Sequence, residues 1–226
     1  MVRLRIDAVI FDMDGVLLDS EPLHEDVTRL LLADCGVTWG SGVAYVGMTT
    51  RESFTLICHE LALPHDPAEL DARYTARVIP LLRERARPLP GVPEVPRALK
   101  AQGVRLAVGS SSRLEVIEAT LDGLGVRALF DVVVSAADMP RGKPAPDVFL
   151  EAARRLGIPP EACVVIEDSQ RGVQAARAAG MRCVAVPCGM TRRHDFSEAT
   201  LVLGGLPELL ASSLFTFHTS PPPGSQ

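Results

Sequence analysis

The second half of the chain alternates short apolar, β-branched runs with helical patterns that end in glycine, and this alternation constrains the fold more than any other feature. It begins near residue 93 and follows an earlier apolar run, Ala8-Val9-Ile10-Phe11. Strands that alternate with helices form βαβ units, in which helices cover both faces of a parallel sheet. The predicted strands are 105–109, 131–135, 163–166, 182–186 and 201–203. The predicted helices are 94–102, 114–124, 147–156 and 172–179.

Between the first run and residue 88 the pattern changes to amphipathic helices. These are predicted at 22–35, 51–61 and 68–85, the last with Pro80 inside it, and a proline-rich hinge follows at 87–91. We therefore predict an α/β fold with a Rossmann-like parallel-sheet core (three-layer αβα) and an inserted α-helical cap domain. The core should comprise residues 1–17 and 88–211, the cap residues 18–87, and a flexible C-terminal tail residues 212–226.

Composition excludes several classes of partner. Of the 226 residues 47% are hydrophobic and 23% charged, as in an ordinary globular protein. The net charge of -5 and the lack of a Lys/Arg-rich block predict no nucleic acid and no membrane surface as partner. No apolar stretch approaches the roughly 18 residues of a membrane span, and the five cysteines contain no C-x-x-C pair. We expect a cytoplasmic protein with reduced thiols, monomeric or weakly homodimeric.

Two pairs of acidic residues lie at the ends of predicted core strands. Asp12 and Asp14 follow the first apolar run, and Glu167 and Asp168 follow the run at 163–166. Side chains at i and i+2 of a strand point to the same side, so Asp12 and Asp14 can face one point. Like charges held that close favour a cation, and carboxylate oxygens are ligands that Mg²⁺ prefers. The alternative for either pair is a solvated turn or a helix cap.

Two more segments place polar residues after predicted strands. Ser110 follows the strand at 105–109 and is predicted to donate its hydroxyl to phosphate, while Ser112 and Glu115 match a capping box for the next helix. Lys143, one of two lysines in the chain, lies in a loop stiffened by prolines and suits contact with phosphate oxygens. Serines that serve only as turn and cap, and a lysine exposed in a loop, are the alternatives.

Four ordered motifs together resemble those of the haloacid dehalogenase superfamily. The first is Asp12-Met13-Asp14-Gly15-Val16 with the residues that follow to Glu21, and the last is Ile166-Glu167-Asp168-Ser169. Ser110 and Lys143 match the two motifs between them. The resemblance extends from residue 8 to near residue 190. Within the superfamily the chain is most similar to the β-phosphoglucomutase-like phosphatase branch, whose helical cap is inserted after the first motif.

The resemblance implies phosphoryl transfer from a small phosphorylated metabolite through a covalent aspartyl-phosphate. Asp12 is then the nucleophile, and Asp14 is first the general acid and later the general base. The carboxylates of Asp12 and Asp168 and the backbone carbonyl of Asp14 would bind Mg²⁺, with Glu167 part of the metal site. The residues expected to contact phosphate are Ser110, Ser111 and Lys143, and those expected to reach the substrate from the cap are Glu21 and His24.

Among the activities of the superfamily, a phosphatase that acts on sugar or polyol phosphates fits these residues best. Dehalogenases lack an acid at the position of Asp14. Phosphonoacetaldehyde hydrolases need a cap lysine, and residues 1–99 contain no lysine. A catalytically silent protein that binds phosphate and metal is the non-enzyme alternative, which the presence of both acids in the first motif disfavours.

A β-phosphoglucomutase-type mutase is the enzyme alternative. His24 falls where that branch carries a cap histidine, and a helix-surface position is the other interpretation of this residue. Val46 and Arg51 depart from the mutase pattern, in which cationic cap residues hold a second phosphate. We expect the cap arginines on solvated helix faces; they are Arg51, Arg73 and Arg77.

Overall fold

A computed structural model describes residues 4–40, 43–212 and 215–217. Within these residues the strands are β1 (Leu4–Ile6), β2 (Ala8–Phe11), β3 (Arg105–Ser110), β4 (Val132–Ser135), β5 (Cys163–Glu167), β6 (Arg182–Ala185), β7 (Leu201–Val202) and β8 (Phe215–Phe217). The helices are α1 (Glu21–Ala33), α2 (Thr50–Glu60), α3 (Pro67–Arg85), α4 (Glu94–Ala101), α5 (Leu114–Gly123), α6 (Asp147–Leu156), α7 (Gln170–Ala178) and α8 (Glu208–Ala211).

Six strands form one parallel sheet in the order β4-β3-β2-β5-β6-β7. The central strand is β2, where Phe11 pairs with Val108 of β3 and with Ile166 of β5. β3 and β4 lie on one side of β2, and β5, β6 and β7, which follow later in the chain, lie on the other side. The strand order therefore switches at β2. In open parallel sheets ligands bind at such a switch, beyond the carboxyl ends of the strands.

Alternation along the central strand divides the interior into two apolar layers. Val9 and Phe11 pack on one face of the sheet with α4 and α5. Ala8 and Ile10 pack on the other face with α6 and α7. Because successive side chains of a strand point to opposite faces, a wholly apolar strand must be covered on both. The predicted three-layer αβα core is confirmed.

The three helices between β2 and α4 form the inserted helical cap. Of these, α3 packs against α1 and α2 and also against α5 of the core. At the contact with α5, a Cβ atom on Gly123 would lie 2.8 Å from the carbonyl oxygen of Leu82. This close approach of two helix backbones requires glycine.

The two linkers between the cap and the sheet run side by side. Leu18 of the outgoing linker forms an antiparallel bridge with Pro88 of the returning one. The backbone N–H of Leu89 donates to the carbonyl of Leu17 at 3.0 Å. This pairing holds together the two linkers through which the chain enters and leaves the cap.

Every predicted helix and strand is present in the predicted order, and its ends differ from the observed ends by at most two residues. β1, α8 and β8 were not predicted. α2 begins with a capping box, in which the Thr49 hydroxyl accepts the N–H of Glu52 and the Glu52 carboxylate accepts the N–H of Thr49. α3 begins after Asp66, whose carboxylate accepts the N–H of Ala68. Pro80 lies inside α3, which continues for five residues beyond it to Arg85.

The stretch predicted to be a flexible tail, residues 212–226, contains one strand, and its flexibility stays a prediction. Phe215–Phe217 forms β8, which pairs in parallel with β1 in a separate two-stranded sheet. The alternating Phe-Thr-Phe sequence favours a strand, and pairing satisfies backbone groups of β1 that the six-stranded sheet does not reach. Residues 213–214 and 218–226 lie outside the described residues.

Throughout the described ranges, no helix combines the length and the apolar character required to cross a membrane. The cysteines Cys35, Cys58, Cys163, Cys183 and Cys188 are free thiols.

Candidate active site

Lys143 joins two of the predicted acidic residues at the carboxyl edge of the sheet. Its ammonium nitrogen lies 2.5 Å from Oδ1 of Asp12 and 2.7 Å from Oε1 of Glu167. The Lys143 side chain is 1% exposed, and its ammonium also lies 4.8 Å from the ring centre of Phe149. A lysine buried to this degree requires counterions, so the interpretation of Lys143 as an exposed loop residue is wrong.

The charges around Lys143 are strongly coupled. Burial alone would lower the pKa of Lys143, but the carboxylates of Asp12 and Glu167 outweigh burial and raise it. Burial raises the pKa of Asp12, against the opposing effect of the lysine. Burial also raises the pKa of Asp168, and the neighbouring charges of Glu167 and Asp12 add to this rise. One ammonium therefore leaves this group of carboxylates short of positive charge.

Glu167 is held by the first turn of α7. Its Oε2 accepts the backbone N–H groups of Asp168 and Ser169 and the Ser169 hydroxyl, each at 2.9 Å. Ser169 is also the N-cap of α7, since its hydroxyl accepts the N–H of Gly172. A Cβ on Gly172 would lie 1.7 Å from Oε1 of Glu167, so the carboxylate occupies space that any side chain would fill. The helix-cap interpretation thus applies to Ser169, and Asp168 faces elsewhere.

Asp168 lies beside the loop that follows β6. Its Oδ2 accepts from Cys188 Sγ at 3.1 Å and from Thr191 Oγ1 at 3.3 Å. The Thr191 hydroxyl accepts the N–H of Cys188 at 3.0 Å, which ties the two donors to each other. On the other side a Cβ on Gly15 would lie 2.3 Å from Oδ2, so the backbone after Asp14 approaches Asp168 directly.

Asp14 accepts hydrogen bonds from three side chains. The donors are Ser20 Oγ at 2.5 Å, Ser112 Oγ at 3.1 Å and His24 Nε2 at 3.1 Å. The predicted capping box of Ser112 and Glu115 is therefore wrong: the N-cap of α5 is residue 113, which makes no side-chain cap bond. The Ser112 hydroxyl makes a strong hydrogen bond as donor to the ionised carboxylate of Asp14, and Arg113, one residue further on, takes the N-cap position.

His24 belongs to this site and not to a helix surface. Its Nε2 bonds Asp14, and its Nδ1 forms a hydrogen bond with the hydroxyl of Tyr74 on α3. Burial would raise the pKa of Asp14, but the hydrogen bonds from His24 and Ser20 lower it overall. Burial would lower the pKa of His24, but the bond to Asp14 raises it. Both shifts favour an ion pair between carboxylate and imidazolium.

The serines after β3 divide between two environments. Ser110 is fully buried, and its hydroxyl oxygen accepts the backbone N–H of Ser112 at 3.1 Å. Ser111 lines the cavity and donates its hydroxyl to the carbonyl of Gly47 in the cap at 3.1 Å. Ser111 is thus the serine of the predicted phosphate pair that opens onto the cavity.

A cavity between the cap and the sheet brings these groups together. Residues lining it from the core include Asp12, Asp14, Ser111, Lys143, Glu167 and Asp168, and residues lining it from the cap include Glu21, His24, Trp39, Tyr45, Phe54 and Tyr74. None of the three cap arginines lines it in the described part of the chain. Arg51 is exposed, and Arg73 and Arg77 pair with Asp34 at 3.7 and 2.5 Å. The expectation of solvated arginines is confirmed.

Comparison with known proteins assigns this arrangement to a family. The profile of the haloacid dehalogenase-like hydrolases matches residues 6–180. The chain belongs to this family. The match contains Asp12, Asp14, Ser110, Lys143, Glu167 and Asp168.

Several characterised members of the haloacid dehalogenase-like family resemble the chain over most of its length. The fructose-1-phosphate phosphatase YqaB of Escherichia coli K12 is 40% identical, with 80% of this chain and 97% of YqaB covered. Hexitol phosphatase B of the same strain is 35% identical, with 93% and 97% covered. The chain spans only 53% of a plant relative, the bifunctional riboflavin kinase/FMN phosphatase of Arabidopsis thaliana.

Among solved structures the chain resembles CbbY from Rhodobacter sphaeroides, crystallised with phosphate. The two are 30% identical, the TM-score is 0.82, and 90% of this chain and 96% of CbbY are covered. A CbbY mutant has also been crystallised with xylulose-(1,5)bisphosphate. These structures share the haloacid dehalogenase-like fold of this chain.

Sequence patterns alone missed several contacts of this haloacid dehalogenase-like site. Ser112 matched a capping box, and no role was predicted for Ser20 in the first motif, although both hydroxyls bond Asp14. Tyr74 and Thr191 carry no local signal, because their partners come from other elements. Gly172 carried a signal that was not used, since a glycine inside the first turn of a helix needs a packing reason.

Proposed function

We propose that this chain is a Mg²⁺-dependent phosphatase that hydrolyses small phosphorylated metabolites, with sugar or polyol phosphates as the substrate class. The observation that carries the proposal is the buried Lys143 ammonium bonded to Asp12 and Glu167 in the cavity that Asp14 also lines. A carboxylate beside a buried cation suits attack on a phosphorus atom whose oxygens the cation neutralises. The names of the two bacterial relatives support the substrate class.

The acidic residues fit a hard divalent cation. Asp12 and Asp168 offer carboxylate oxygens as ligands. Burial raises the pKa of both carboxyl groups, and a bound cation would supply the positive charge that stabilises their ionised forms. Within the described residues no group of three His, Cys, Asp or Glu side chains is arranged around one point. Mg²⁺ keeps several waters and is commonly held by one or two carboxylates, so Asp12 and Asp168 would suffice as side-chain ligands. We propose that Asp12, Asp168 and the backbone carbonyl of Asp14 hold it, with Glu167 nearby. When bound, the ion neutralises charge on the phosphate oxygens.

In the first half-reaction the phosphoryl group lies against Lys143 and Ser111, and a carboxylate oxygen of Asp12 attacks phosphorus. Ser110 is fully buried and is not among the residues that line the cavity, so its predicted contact with phosphate stays a prediction. The bond from phosphorus to the ester oxygen breaks, and that oxygen takes a proton through Asp14. Because the pKa of Asp14 is lowered and that of its partner raised, we propose that the pair with His24 stores this proton.

In the second half-reaction water attacks the aspartyl-phosphate. Asp14, still a carboxylate and now beside a neutral His24, accepts a proton from the water as the oxygen of the water bonds phosphorus. The bond between phosphorus and Asp12 breaks, which releases inorganic phosphate and restores the carboxylate. Lys143 keeps its contact with the phosphate oxygens in both halves, so the same charge serves two displacements.

We further propose that residues 18–87 form a cap domain that opens and closes on the core of residues 1–17 and 88–211. The paired linkers, with Leu18 bridged to Pro88, support a hinge at this place. Contacts of cap residues with Asp14 and Ser111 support a closed state that excludes water from the cavity. Every proposed group comes from one copy of the chain, so a monomer or a weak homodimer suffices for the reaction. We propose a cytoplasmic location.

A β-phosphoglucomutase-type mutase is the second candidate, and the bond between His24 and Asp14 favours it because that branch carries a cap histidine there. Against it, no described arginine lines the cavity to hold a second phosphate. Supplying β-glucose 1-phosphate separates the two activities. Glucose 6-phosphate would identify a mutase, and free glucose with phosphate would identify the hydrolase.

The experiment that tests the proposal is phosphate release from p-nitrophenyl phosphate and a panel of sugar phosphates. We expect release that needs Mg²⁺ and that Asp12→Asn abolishes. Asp26→Asn, an exposed acid on α1 paired with Arg29, is the matched control and should keep full activity. Wild-type protein that binds Mg²⁺ yet releases no phosphate from any compound would instead identify a binding protein without turnover.

A further inference from the structure

The cap side of the cavity combines negative charge with aromatic surface. Glu21 and Glu25 of α1 supply two carboxylates, and Trp39 and Tyr45 supply rings whose centres lie 5.7 Å apart. Among the described residues Lys143 is the only lysine or arginine that lines the cavity, and its ammonium is already bonded to two carboxylates. A substrate group that extends from the phosphate toward the cap therefore meets acidic and aromatic surface.

Of these residues, Glu21 is the best placed to bind the part of the substrate that extends from the phosphate toward the cap. It is the first residue of α1, three positions before His24 and so on the same side of the helix. Its side chain is half-buried, and its carboxylate makes no hydrogen bond with a described side chain or backbone group. Half-buried carboxylates normally have donors, so hydroxyl groups of a bound substrate are suitable partners.

The residues that could have held a second anion are directed elsewhere. Thr50 lines the cavity, while its neighbour Arg51 is exposed. Arg113, at the start of α5, bonds Asp71 at 3.0 Å and Glu115 at 2.8 Å. Arg171 packs against Gly47 of the cavity lining but does not itself line the cavity, and its guanidinium donates to the backbone carbonyl of Lys143.

We propose that Glu21 makes the cavity selective for phosphomonoesters whose leaving group is uncharged and carries hydroxyls, and that it excludes substrates with a second phosphate. The inference rests on the proposed phosphatase function and refines its substrate class. Substrate hydroxyls donate to the Glu21 carboxylate, and the rings of Trp39 and Tyr45 pack against the carbon chain. A second phosphate would instead meet like charge without a counterion.

The test compares fructose 1-phosphate with fructose 1,6-bisphosphate, which differ only in the second phosphate. We expect kcat/KM of the wild-type protein to favour the monophosphate by about tenfold or more. Glu21→Gln keeps the size of the side chain and removes its charge. We expect this variant to reduce the ratio of kcat/KM for the monophosphate to kcat/KM for the bisphosphate at least about threefold, mainly by lowering KM for the bisphosphate. Asp26→Asn on the exposed side of the same helix is the control and should leave the preference unchanged.

Each outcome decides between the two proposals. Equal rates on both fructose phosphates, no turnover of the monophosphate, or an unchanged preference in Glu21→Gln would overturn the role of Glu21. If p-nitrophenyl phosphate were still hydrolysed in those cases, the phosphatase function would stand. Failure to hydrolyse any phosphate ester would overturn both.

Discussion

Lys143 and Asp12 are 131 residues apart in the chain, yet the ammonium nitrogen of one lies 2.5 Å from a carboxylate oxygen of the other. The parallel sheet produces this contact, because β2 ends at the same edge as the loop that leads into α6. The same ammonium bonds Glu167 of the neighbouring strand. One buried cation thus serves two buried carboxylates from two strands, and both the stability and the chemistry of the site depend on it.

Replacement of Lys143 by methionine should remove that cation while nearly preserving side-chain volume. Two buried carboxylates then lose their partner, so we expect the free energy of unfolding to fall by about 3 kcal/mol. We also expect kcat for p-nitrophenyl phosphate to fall by about 100-fold or more, because a preorganised charge on the phosphate is lost. Urea unfolding and steady-state kinetics measure the two effects separately.

The other lysine of the chain is the control for that variant. Lys100 bonds the carbonyl of Leu129 and the carboxylate of Asp131, which directly precedes β4 and so lies at the amino edge of the sheet, away from the carboxyl edge at the cavity. Lys100→Met should keep full activity. Full activity in Lys143→Met as well would contradict the proposed contact with phosphate.

Gly172 should tolerate no side chain. A Cβ there would lie 1.7 Å from Oε1 of Glu167 and 1.8 Å from its carboxyl carbon, so Gly172→Ala must displace the group that orients Lys143. We expect a loss of about 2 kcal/mol in the free energy of unfolding from overpacking, together with a lower kcat. Gly189→Ala is the matched control, because a Cβ there meets nothing within 4 Å. Equal behaviour of the two variants would show that Glu167 can move without consequence.

The core fold follows from local patterns in the sequence. Apolar runs such as 163–166 can only be buried on both faces, and the glycines that follow the helices mark where each one ends. Acids placed directly after such runs must then reach one edge of the sheet, which is why Asp12 and Glu167 could be assigned without a structure. Lys143 stood out because the chain has two lysines and this one lies in a loop stiffened by prolines, and its contact with phosphate stays a prediction.

Other parts of the site depend on partners that local patterns do not contain. Ser112 and Glu115 have the spacing of a capping box, but Asp14, 98 residues away, takes the Ser112 hydroxyl. Tyr74 reaches His24 across 50 residues and two helices. The Ser112 hydroxyl donates to a charged carboxylate, which binds a hydroxyl more strongly than a neutral acceptor does, and neither contact could be found from residues close by in the sequence.

Asp131 should make stability depend on pH. Burial would raise the pKa of Asp131, but the N–H of Leu106 and the cations of Lys100 and Arg105 lower it below the ordinary 3.8. A carboxyl group whose pKa is lower in the folded state stabilises the folded protein fully at pH values above its pKa in the unfolded state. This stabilisation is lost as the pH falls through its pKa in the folded state. Asp131→Asn should therefore cost about 1 kcal/mol at pH 7, and much less below the lowered value.

Urea unfolding of both proteins from pH 7 to pH 2 measures that difference. Asp26→Asn removes an acid whose partner, Arg29, is exposed, so its cost should stay under about 0.5 kcal/mol at every pH. A cost for Asp131→Asn that did not change with pH would show that the carboxylate contributes through packing and not through charge.

Thr191→Val should weaken the binding of Mg²⁺ while leaving the fold intact. The Thr191 hydroxyl donates to Oδ2 of Asp168 and accepts the N–H of Cys188, so the loop after β6 orients a proposed metal ligand. Loss of such an outer contact typically lowers metal affinity about 10- to 100-fold, which calorimetric titration with Mg²⁺ and the Mg²⁺ dependence of kcat would both report. Thr55→Val, at an exposed hydroxyl on α2 that bonds only the carbonyl of Arg51, is the control. Unchanged Mg²⁺ affinity in Thr191→Val would mean either that Asp168 needs no orientation or that Asp168 does not bind the ion. Asp168→Asn separates these two explanations. Mg²⁺ affinity equal to that of the wild type in Asp168→Asn would show that Asp168 does not bind the ion.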